Sequence, residues 1–143
     1  MKNRLRKANR IVAVQEQMHR QAEWRLTQIA RARADLERTR EEMITTLNDG
    51  IFGPMLVEVV AKRLRATAEE SARLAVDEDR QTVRVREEAL RLKRAEHMAE
   101  GVSQIHDQHV EKQMVAAILE GVASRLATEE AADRTILGDA SLT

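Results

Sequence analysis

The sequence predicts an all-α protein, a long antiparallel two-helix coiled-coil hairpin with an extended C-terminal helix. Three observations carry that prediction. Apolar residues return every seven positions along both halves of the chain. Aromatic rings, which supply much of the burial in a thick globular core, are almost missing: one Trp, one Phe and no Tyr in 143 residues. A composition weighted toward Ala, Glu, Arg and Leu, 34% charged, belongs to long helices. The length suits one domain, 1–143.

The first helix is expected over about residues 3–48. Ala22, Ile29, Leu36 and Met43 are seven apart, and Val12, Met18, Leu26, Ala32 and Leu47 widen them into a stripe opposite a face of Arg, Gln and Glu. That is the pattern of two-stranded packing. At 1.5 Å per residue the helix would run roughly 65–70 Å. Trp24 borders the stripe, either as a residue at the seam edge or as an anchor for a partner.

The pattern breaks once, in "TTLNDGIFGPMLVEVV" (45–60), which holds the only Pro and the only Phe. The turn is expected over 49–54. Gly50 can take the left-handed conformation past the first helix, Gly53 can stand at the N-cap, and Pro54 fits the first turn of the second helix because its missing N–H has no bond to lose there. Asn48 and Asp49 favour the turn. Ile51 and Phe52 either fold over Leu47 and Leu56 as an apolar staple or leave Phe52 as an exposed tip for a partner.

The second helix is expected over about 55–133, with a frayed tail at 134–143. Leu64, Ser71, Glu78, Val85, Leu92 and Ala99 are seven apart, with Ala68, Leu74, Ala75, Thr82 and Ala89 beside them. The small and polar members predict a weaker seam, loosest where it is polar. Folding at 50–54 sets residue 1 beside roughly residue 101, so the stripe Val102, Ile105, Val110, Val115, Ile118, Leu119, Val122 and Leu126 has no helix left to cover it. It folds back, pairs with another copy, or projects into a partner. Gly101 and Gly121 are its expected flex points.

Net charge is zero but graded. Residues 1–40 hold 11 Lys and Arg against 4 Asp and Glu, a net of +7, and residues 41–143 hold 13 against 20, a net of −7. Opposite charge on the two halves suits an antiparallel register. It places Lys2, Arg4, Arg6, Lys7 and Arg10 near Glu88, Glu96 and Glu100, in exposed pairs each worth perhaps ~0.2–1 kcal/mol.

Function classes fall away in turn. Without cysteine there is no disulfide framework and no thiolate site. The basic start lacks the apolar run of a signal peptide and no stretch is long and apolar enough to span a membrane, so the chain reads as soluble, unprocessed and cytoplasmic. There is no glycine-rich phosphate loop. Ser71, Ser103, Ser124 and Ser141 have no concave site in a two-helix fold, so no enzyme is expected. His97, His106 and His109 fall short of four zinc ligands and lack the Glu-x-x-His pairs of di-metal bundles, and they read as solvated polar residues; no metal or cofactor is expected. Arg20, Arg25, Arg31, Arg33, Arg38 and Arg40 spread along the first helix, yet a neutral chain without aromatic platforms does not read as a nucleic-acid binder.

The segments "LRKANRIVAVQEQMHRQAEWRL" and "ARADLERTREEMITTLN", the turn "DGIFGP", and the return "AKRLRATAEESARL" and "VRVREEALRLKRAEHMAE" together resemble the FliJ family of flagellar export stalk proteins and their YscO-like injectisome counterparts. The likeness covers nearly the whole chain and rests on length, an early Asn/Asp/Gly turn and Arg/Glu/Leu heptads. The near-absence of aromatics departs from the family. The resemblance implies a non-enzymatic stalk that stands in the pore of a hexameric export ATPase, links it to the membrane export gate protein and handles export chaperones. It implies a cytoplasmic place, peripheral to the export apparatus at the inner membrane, without membrane insertion or nucleic acid. It puts the gate contact at Leu56, Val59, Val60, Arg63, Leu64 and Thr67. Both helical ends would enter the ATPase pore, here Arg4, Arg6 and Arg10 with Ile118, Val122 and Leu126. The competing expectation is a coiled-coil scaffold or secretion chaperone that forms a helical dimer.

Overall fold

A computed structural model describes residues 2–50 and 53–141, with side chains through residue 138. Among the described residues there are two helices, α1 (Lys2–Asn48) and α2 (Pro54–Ser141), packed against each other. The second helix continues past Asp133 to Ser141, into the segment for which the sequence suggests fraying. The expected staple or tip at Ile51 and Phe52 lies outside the described residues.

Helix α1 ends where the chain changes hand. The amide of Asp49 still donates to the carbonyl of Thr45 at 3.1 Å, and Gly50 then takes φ +72°. A side chain at that φ is strained whatever the space around it. Gly53 opens α2, its carbonyl accepting from the amides of Leu56 at 3.0 Å and Val57 at 3.4 Å, and Pro54 follows as the first helical residue. Threonine is a poor helix former, yet eight of them sit inside these helices. Each, as at Thr67 and Thr82, turns its hydroxyl back onto the carbonyl four residues earlier, at 2.8–3.0 Å.

Contacts gather in two units, Asn9–His97 and Met1–Ala8 with Met98–Thr143. In the first, the shielded residues of α1 are Val12, Gln15, His19, Ala22, Leu26 and Ile29, in steps of three and four, and Leu36, Met43 and Leu47 keep that phase. On α2 the same alternation runs without a break through Val60, Leu64, Thr67, Ser71, Leu74, Glu78, Gln81, Val85, Glu88, Leu92 and Ala95. Alternate steps of three and four keep one side of a helix against one neighbour. In the second unit Leu5 and Ala8 are half-buried on α1, and Ala99, Val102 and His106 are buried or half-buried on α2.

Four sequence expectations change. Met18 is exposed and His19 takes the inward place, because the three-four phase passes one residue further on. Ala68 is exposed for the same reason, and Thr67 is inward. Trp24 is 62% exposed and covers little of the seam. The polar members are not the loosest part: Ser71, Glu78 and Thr82 are half-buried like the apolar Leu64, Val85 and Leu92, and Thr67, Gln81 and Glu88 are buried outright beside Ala22 and Ala95.

Candidate interaction surfaces

The polar part of the seam is built around one hydrogen bond. Gln81 donates from Nε2 to the main-chain carbonyl of Ala22 at 2.9 Å, with both residues under 9% exposed. Ala22 permits this because a single methyl leaves its carbonyl open to the facing helix. One heptad along α2, Glu88 is 6% exposed, with Oε1 held by Arg91 at 3.3 Å and Oε2 without a partner. Gln15, one heptad before Ala22 on α1, likewise has a buried Oε1 without a partner. Met18, Gln21, Ala22, Arg25, Gln81, Arg84 and Glu88 border a shallow open groove here.

An ion pair flanks this region, Arg33 Nη1 to Glu78 Oε2 at 2.8 Å. Its hydrogen bond to Glu78, then the charge of that carboxylate, hold the Arg33 guanidinium above its ordinary pKa, with smaller contributions from Asp79 and Glu37. The remaining ion pairs among the described residues are local to one helix: His19–Glu23 if the imidazole is protonated, Arg38–Asp35, Arg40–Glu37 and Arg91–Glu88. Arg10 makes no ion pair with Glu88 or Glu96, nor do Lys2, Arg4, Arg6 and Lys7 with Glu100.

The residues matched to a gate contact divide between two faces. Val60, Leu64 and Thr67 turn into the seam, whereas Leu56, Val59 and Arg63 are exposed. Only the second three can meet a partner while the helices stay packed. Met55, 85% exposed, and Val57 extend that apolar patch, and Met55, Leu56, Glu58, Val59 and Lys62 border a shallow depression.

The residues matched to an ATPase pore are exposed throughout: Arg4, Arg6 and Arg10 on α1, and Ile118, Val122 and Leu126 on α2. Within their unit Arg4 and Arg6 are not brought together with Ile118. The seam against residues 2–8 ends at His106, and Ile118 lies about 18 Å further along the helix. Every described side chain from 107 to 138 is exposed, Gly121 being half-buried. Gln108, Glu111, Lys112, Val115, Ala116 and Leu119 border an open, largely apolar groove there.

Sequence reasoning missed one whole row of the seam, Thr67, Gln81 and Glu88 with Val60 and Ala95. Strict three-four spacing, followed regardless of residue type, would have found it. His97 and His109 are exposed, and His106 is half-buried with Nδ1 unpartnered. Among the described residues no group of three His, Cys, Asp or Glu is placed to hold a metal ion, and no helix is long and apolar enough to cross a membrane. Comparison of the chain with protein-family models, curated proteins and solved structures returns no match.

Proposed function

We propose that the chain is a non-enzymatic stalk and adaptor of a flagellar or type III protein-export ATPase, folded as an antiparallel two-helix coiled coil. The observation that carries the reading is the tail of α2: Val115, Ile118, Leu119, Val122 and Leu126 form an exposed apolar stripe on a helix without a covering neighbour. A stripe of that kind needs a sleeve, and the pore of a hexameric ATPase is one. The sequence resemblance supplies the choice of partner. The exposed three of the gate set, Leu56, Val59 and Arg63, supply a second surface for a membrane export gate protein, and export chaperones complete the set of partners.

The antiparallel register is supported by the seam itself. From the Ala22–Gln81 bond, one heptad back along α1 reaches Gln15 and one heptad forward along α2 reaches Glu88, each with one buried side-chain oxygen unpartnered. The three-four phase holds along α2 from Val60 to Ala95 and along α1 from Val12 to Ile29. The test is hydrolysis by a purified hexameric export ATPase with and without the chain. A rate rise, lost with Ile118→Asp/Val122→Asp, supports the stalk. An unchanged rate with no co-purification overturns it in favour of the scaffold or secretion-chaperone reading.

A further inference from the structure

The apolar stripe of the α2 tail does not continue the seam. Extended past His106, the three-four phase of the seam would pass through His109, Gln113, Ala116, Glu120, Ala123, Ala127 and Glu130, which include no large apolar side chain. Six of the exposed apolar residues follow a different phase that begins at Ile105 and steps three and four through Val115, Leu119, Val122 and Leu126 to Ile136, while Val110, Met114, Ile118 and Leu137 fall outside it. A step of three in place of four at 102–105 makes the switch, and such an interruption ends one packing seam and starts another.

That second row is symmetric about a point between Glu120 and Gly121. Leu119 and Val122 are equidistant from it, as are Val115 and Leu126, and Ile105 and Ile136. The polar members match in the same way: Lys112 stands opposite Glu129 in sign and in distance, and Gln108 opposite Asp133. A row that reads apolar to apolar and cation to anion about its own midpoint is complementary to itself run backwards. This is the requirement for an isologous two-fold interface and for the facing positions of an antiparallel coiled coil.

We infer that the tail of α2, residues 105–136, pairs antiparallel with the tail of a second copy of this chain, through the row Val115, Leu119, Val122 and Leu126, with Lys112 of each copy against Glu129 of the other. The inference does not rest on the export reading. Each copy brings six apolar side chains over nine turns, few enough that the dimer is reversible and a tighter partner for the stripe displaces it.

Sedimentation of the full-length chain over a concentration series tests this. A reversible monomer–dimer equilibrium is expected. Lys112→Glu should weaken it by about tenfold, because each dimer contains the reversed pair twice. Lys112→Glu/Glu129→Lys should restore it. The chain has no cysteine of its own, so mixing Val115→Cys with Leu126→Cys should give the mixed disulfide in preference to either homodimer. A chain that stays monomeric at every concentration overturns the inference. So does a dimer that ignores the charge swap, or one in which Val115→Cys crosslinks to itself. A monomer that still stimulates the export ATPase removes the pairing alone, and a dimer with no effect on the ATPase removes the export reading alone.

Discussion

Gln81 Nε2 and the main-chain carbonyl of Ala22 are hydrogen-bonded at 2.9 Å between two buried residues of the seam. A polar side chain at an inward heptad position commonly sets register at some expense of stability. Gln81→Leu is therefore expected to leave helicity intact and the melting midpoint unchanged or higher. Uniqueness should suffer: amide hydrogen exchange in α1 around Ala22 should become faster or biphasic. A slower, uniform exchange pattern would show that the bond does not set register.

Ala22 provides the complementary test. Ala22→Leu fills the space that admits Gln81 and separates the helices, so it should destabilise by about 1–3 kcal/mol. Thermal unfolding followed by circular dichroism checks this, and an unchanged midpoint would mean that the helices do not need the close approach.

Glu88 is the seam's weakest chemical choice. Its carboxylate is 6% exposed, has one pairing with Arg91, and leaves Oε2 unpartnered. Glu88→Leu continues the apolar run between Val85 and Leu92 and should stabilise by roughly 1–2 kcal/mol, as replacing an ill-satisfied buried ionic group often does. A lower midpoint in urea unfolding would mean that Oε2 is satisfied in solution.

The turn depends on Gly50. At φ +72° an alanine is strained by about 1–2 kcal/mol, so Gly50→Ala should lower stability by that amount. Gly53→Ala, with nothing within 4 Å of a new Cβ, should be milder. Equal losses at the two glycines would contradict the geometry.

The helices and their turn are legible in the sequence because Pro54, Gly50 and the four-membered row from Ala22 to Met43 are type-specific signals. Half of the seam is not. Thr67, Gln81 and Glu88 look like surface residues by composition, and their burial follows only from phase. Met18 and Ala68 were attractive because they are apolar, yet each lies one position off that phase. Of the candidate contact sets the structure gives exposure alone: Ile118, Val122 and Leu126 are exposed together. That Val60, Leu64 and Thr67 turn inward depends on which neighbour α2 meets, and hydropathy alone does not say.

The shift of phase at 102–105 gives α2 two independent fronts. At about 100° per residue, the face that meets residues 2–8 and the face that carries Val115 and Leu119 lie about 150° apart on the same helix. A guest that grips the tail from its own side has no need to prise α1 away. Substitutions on the tail face and on the seam face therefore act on separate sets of contacts.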